Sequence, residues 1–77
     1  MTLNQLNIGQ KATVQHVEIN SVLYDKLLKF GLTQDTVVEC VGKSPFGDPA
    51  AFVLRGTVIA LRNDDSRHIF IKQFPTP

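Results

Sequence analysis

The stretch KATVQHVEI, residues 11–19, limits the possible fold more than any other part of the chain. Ala12 and Val14 alternate as a strand facing a core would, and Val17 and Ile19 then alternate on the opposite parity. Strand side chains repeat every two residues, so a change of parity inside one strand requires an extra residue, a β-bulge, near Gln15 and His16. A bulge bends the strand and increases its twist. A strongly bent first strand suits a small closed barrel better than a flat sheet.

The remainder fits that frame. Residues 1–10 form a leading segment with Leu3, Leu6 and Ile8 as apolar anchors and a turn at Gly9. In NSVLYDKLLKFGL the period changes to that of a helix, with Leu23, Leu27 and Phe30 on one stripe and Tyr24 and Leu28 beside it. Asn20 or Ser21 is placed to cap the first turn. Gly31 stands where a left-handed residue ends a helix, followed by Leu32 for the closing apolar contact. Lys26 and Lys29 sit toward the negative end of the dipole. TVVECVGK reads as a strand with Val38 and Cys40 inward. AFVLRGTVIALR reads as a hairpin turning at Gly56, with Phe52, Leu54, Ile59 and Leu61 inward. NDDS is a polar turn or a single helical turn, with Asn63 or Asp64 as its cap. HIFIK closes the fold through Ile69 and Ile71, and residues 73–77, QFPTP, form a proline-rich flexible tail.

The sum is five short strands and one helix inserted after the first strand. In a chain of 77 residues an open five-stranded sheet would expose much unpaired edge. The expected fold is therefore mainly β, a small SH3-like barrel over residues 1–72 as a single domain.

Composition narrows the function. The formal net charge is +1, and the eight Lys and Arg residues are spread among seven acids. No clustered basic or aromatic-plus-basic pattern supports nucleic-acid binding, although Lys43, Arg55, Arg62 and Arg67 could in principle align as a stripe. The lone Cys40 has no intrachain disulfide partner, the N-terminus lacks a signal-peptide pattern, and no run approaches a membrane span. These features point to a soluble cytoplasmic protein without direct membrane insertion. An exposed barrel edge leaves room for a weak homo-oligomer.

Chemistry is sparse. The candidate metal ligands His16, Asp64, Asp65 and His68 fall in no Cys-x-x-Cys, His-x-x-x-His or Glu-x-x-His spacing, so local sequence supports only a weak surface site, His68 with Asp64 or Asp65. No cofactor is expected. No acid–base or nucleophile constellation has an informative spacing, so the chain does not read as an enzyme.

The loop SPFGDP, residues 44–49, reads instead as a recognition element. Pro45 and Pro49 fix two backbone angles and lower the entropy lost on binding. Phe46 is either an aromatic anchor for a partner or a plug turned into the barrel mouth, and the sequence does not choose between them. Asp48 reads as a cap of its own turn. Tyr24 and Leu28 on the helix form a second candidate docking surface.

Four segments in order, LLKFGL, TQDTVVEC, SPFGDP and RGTVIALR, resemble the ferrous-iron transport protein A family, FeoA. Leu27, Leu28, Gly31 and Leu32 match its helix ending, Thr33, Val38 and Cys40 its strand, Ser44–Pro49 its loop, and Arg55, Gly56, Ala60, Leu61 and Arg62 its hairpin. Asp35 stands where the family usually has glycine, and aspartate tolerates the left-handed backbone such a turn requires. The resemblance implies a cytosolic SH3-like accessory protein of ferrous-iron uptake whose partner is the FeoB-type GTP-binding membrane transporter. The alternative it leaves is a metal-responsive regulatory module, like the C-terminal SH3-like domain of iron-dependent repressors, which carry in addition a DNA-binding domain not seen in this sequence.

Overall fold

The computed structural model describes residues 1–18, 21–29 and 31–74. Five antiparallel strands form one sheet: β1 (Lys11–Val17), β2 (Val37–Lys43), β3 (Ala50–Leu54), β4 (Thr57–Leu61) and β5 (Ile69–Gln73), in the order β4-β3-β2-β1-β5. One helix, α1 (Ser21–Lys29), follows β1, and a single turn, α2 (Asn63–Ser66), links β4 to β5. A short 3-10 turn, Leu3–Gln5, precedes β1.

The parity change in β1 is a bulge. Val14 pairs with Ile71 and His16 with Phe70, leaving Gln15 as the extra residue. At the same point β1 parts from β2, its last partner there being Val37 opposite Thr13. The loop before β2 takes over, as Val14 N–H donates to Thr36 O (2.8 Å) and Asp35 N–H donates to Val14 O (2.7 Å). Asp35 has φ 71, the left-handed backbone expected of it. A second bulge, at Val41, bends β2 between Cys40 and Gly42.

The expected closed barrel is not formed. β4 and β5 are the two ends of the sheet and do not pair with each other. The reason lies in the leading segment, which occupies the seam. Thr2 bridges Phe70, and Ile71 N–H donates to Met1 O (2.9 Å), so the outer side of β5 is taken by chain that precedes β1. Leu3 and Leu6 then fill the open side as fully as strand side chains would. Ile8, expected as a third anchor, is 60% exposed. It sits at the tip of the turn that Gly9 makes at φ 90, with Gly9 N–H donating to Cys40 O, and this aims Ile8 at solvent.

Buried against these are Val14, Val38, Cys40, Phe52, Leu54, Ile59, Leu61, Ile69 and Ile71, inward positions from all five strands, together with Leu27 of α1. Helix α1 ends as its sequence indicates. Gly31 (φ 84) donates to Leu28 O and Leu32 N–H to Leu27 O, both at 3.0 Å, the paired bonds of a Schellman motif, and Leu32 is buried. The expected cap at Asn20 or Ser21, the stripe positions Leu23 and Phe30, the Lys26 side chain and Ile19 lie outside what is described. The β3–β4 hairpin turns through Arg55 (φ 50) and Gly56 (φ 78), the two positive angles of a type I′ turn.

Candidate docking surfaces

The loop between β2 and β3 is closed by its own polar groups. Ser44 N–H donates to Pro49 O (3.0 Å), Gly47 N–H to Ser44 O (2.8 Å), and the Ser44 hydroxyl to Asp48 O (2.6 Å). Gly47 has φ 82, which explains glycine here, since a Cβ would meet nothing within 4 Å. With both ends of the loop fixed, Phe46 projects outward and is 96% exposed. The barrel-mouth plug is therefore excluded.

Asp48 does not cap its own turn as expected. Its carboxylate Oδ1 accepts the backbone N–H of Asn63 at 3.0 Å, across fifteen residues. That bond satisfies a free donor at the start of α2, where Arg62 occupies the N-cap without a side-chain bond. The cap assigned to Asn63 or Asp64 is thus supplied from the loop. A partner so distant in sequence has no local signature.

The second surface lies at α1. Tyr24 (43%) and Leu28 (40%) are both exposed. They border a cavity of about 290 Å³ whose other walls are Gln15, His16 and Val17 at and after the bulge and Leu32, Thr33 and Gln34 after the helix. The cavity lies beside the bulge, where β1 has parted from β2. Its size suits one or two side chains of a partner. The ring of His16 stacks on Phe70, with centroids 5.9 Å apart, and so forms a firm wall.

These two surfaces do not converge. The loop meets β3 at Ala50, whereas Arg55, at the other end of that strand, lies against Gly31 just after α1. A strand of this length separates them by roughly 15 Å. Tyr24 and Leu28 thus belong to one face, and Pro45, Phe46 and Asp48 to another. The same separation divides Lys43 from Arg55, so these two members of the conceivable basic stripe stand at opposite ends of β3.

The metal candidates are likewise not gathered. His68 N–H donates to Asp65 O and its carbonyl accepts from Glu18, so backbone groups account for its links to these acids. Among the described residues no three His, Cys, Asp or Glu side chains form a group able to hold a metal ion. Cys40 is a buried free thiol. Among the described residues no helix is long and apolar enough to cross a membrane.

Comparison with known proteins matches residues 1–73 to the FeoA domain family. The solution structure of iron(II) transport protein A from Clostridium thermocellum superposes with a TM-score of 0.91 at 27% identity, covering 96% of this chain and 46% of that one. The chain thus spans less than half the length of that relative. The crystal structure of Stenotrophomonas maltophilia FeoA complexed with zinc, an SH3 domain protein, superposes at 0.83 with 26% identity, covering 94% of this chain and 89% of that one. A manganese-dependent transcriptional repressor shares the fold, with a TM-score of 0.86 at 12% identity over 96% of this chain and 41% of that one. No curated protein matches the sequence closely enough to indicate a relationship.

Proposed function

Because the chain belongs to the FeoA family, whose members are linked to ferrous-iron transport, we propose that it is a cytoplasmic accessory protein of ferrous-iron uptake. It acts by binding the FeoB-type GTP-binding membrane transporter of Fe²⁺ rather than by catalysing a reaction. The observation that carries this reading is Phe46, a large aromatic side chain held almost wholly in water by a loop whose ends are fixed. An exposed aromatic on a rigid support is a binding anchor, since it buries large area at little cost in entropy. Residues 1–72 serve as one interaction module, and Gln73, expected in the flexible tail of residues 73–77, instead ends β5 opposite Ala12. Tyr24 and Leu28 offer a second contact on a separate face.

The test is binding of the purified chain to the transporter's cytosolic part, with and without guanine nucleotide, by calorimetry. Phe46→Ala should weaken binding by about tenfold or more while leaving the unfolding midpoint in urea unchanged. Leu28→Ala should act independently of it, because the two faces are separate. Full affinity in both variants would refute the docking reading. The metal-responsive alternative draws on the repressor's fold. It predicts stoichiometric Fe²⁺ or Mn²⁺ binding that is lost in His68→Ala.

A further inference from the structure

Strand β4, Thr57–Leu61, is an end of the sheet and carries no charge, no proline and no bulge, its register with β3 running unbroken from Leu54↔Thr57 to Ala50↔Leu61. Exposed edges in monomers are ordinarily blunted by such features. The other end of this sheet is blunted, since Met1 and Thr2 cover β5 and Lys72 lies on it. The two-residue turn fixes which backbone groups of β4 are free. Leu54 and Thr57 flank it as a hydrogen-bonded pair, so Ile59 and Leu61 also bond toward β3, while Val58 and Ala60 turn their N–H and C=O outward. Among the described residues no backbone group meets them there. Their side chains lie on the outer face, Val58 63% exposed and Ala60 exposed.

We propose that this edge is a self-association site, where β4 of one copy pairs antiparallel with β4 of a second copy about a two-fold axis through Ile59. In that register Val58 stands opposite Ala60 of the second copy, and Ala60 opposite its Val58. Each outward N–H then meets an outward C=O, and none is left over. On the outer face the apolar row Val53–Val58 continues into Ala60 and Ala51 of the second copy, placing a large side chain beside a small one. The flanking charges favour a second copy over an unrelated strand. Arg62 falls opposite Gly56, and the Arg55 turn comes level with Asn63, next to Asp64 and Asp65 in the first turn of the other copy's α2. The strands themselves bring no like charges together. This edge includes neither Phe46 nor the α1 cavity, so the inference is independent of the transporter reading.

The interface is small, and such interfaces associate weakly. Sedimentation velocity of the full chain from about 10 μM to about 1 mM should therefore show a concentration-dependent monomer–dimer equilibrium. Ala60→Pro removes an N–H that bonds nothing within one copy, and proline is tolerated at such edge positions. Val58→Lys adds an edge charge without touching the backbone. Each should weaken dimerisation by at least ~tenfold with unchanged circular dichroism, and Val58→Lys decides the matter if the proline variant misfolds. In the wild type, amide hydrogen exchange at Val58 and Ala60 should slow as concentration rises. A monomer at every concentration would overturn the proposal. So would a dimer insensitive to Val58→Lys whose shift changes fall on α1 or on residues 44–49.

Discussion

Asp48 shows how much a single carboxylate organises in so small a domain. It leaves the strand-like chain at the end of the loop, precedes a cis peptide to Pro49, and reaches Asn63 at the joint between β4 and β5. The acceptor is anionic and the donor is a free N–H at the start of a helical turn, a pairing stronger than one between neutral groups. Asp48→Ala should lower stability by about 1 kcal/mol in urea titration, and Asp48→Asn by less, since an amide oxygen still caps. The same substitution should leave α1 untouched. Amide shift changes confined to residues 44–49 and 62–66 would confirm that the effect is local. At this scale the sequence was half legible. Phe46 and Asp48 stood out as unusual, but the direction of Phe46 depends on bonds made by Ser44, and the partner of Asp48 depends on tertiary contact.

Among the elements, α1 depends most on one backbone angle. Gly31 carries φ 84, and a Cβ there would stand 3.2 Å from Arg55 Cδ in the hairpin turn. Gly31→Ala therefore meets a left-handed penalty and must displace a side chain, though a flexible one. A loss of roughly 1–2 kcal/mol is expected in chemical denaturation, with reduced helicity by circular dichroism. Elements of this kind were readable in advance because their signals are local: the periodic helix with its terminal glycine, the hairpin turn at Gly56, and the parity change that marks Gln15. The bulge at Val41 gave no such sign. Val38 and Cys40 keep their parity, and the extra residue falls just before Gly42, where no inward side chain follows to reveal the shift. The open seam was also unreadable, since nothing in the run MTLNQL distinguishes a plug from a loosely held terminus.

For the molecule as a whole, one side chain stands at the centre. Phe52 is fully buried in the middle strand of the β2–β3–β4 meander. Truncation to alanine should cost about 3–5 kcal/mol, against a total stability on the order of 5 kcal/mol for a domain this small. Phe52→Ala should accordingly keep at most about 2 kcal/mol of stability and unfold at far lower urea than the wild type, whereas Phe46→Ala, on the same chain but in water, should retain the wild-type NMR spectrum outside its loop. The contrast separates the aromatic residue that makes the fold from the one the fold displays.

The position of the leading segment against β5 has a temporal corollary. Leu3 and Leu6 are made well before the strand they shelter beside, and β1 finds its own neighbour there too. A growing polypeptide can shape the helix and the central meander as they emerge, but water leaves the interior only when the last strand arrives. Until then those two leucines have nowhere to go.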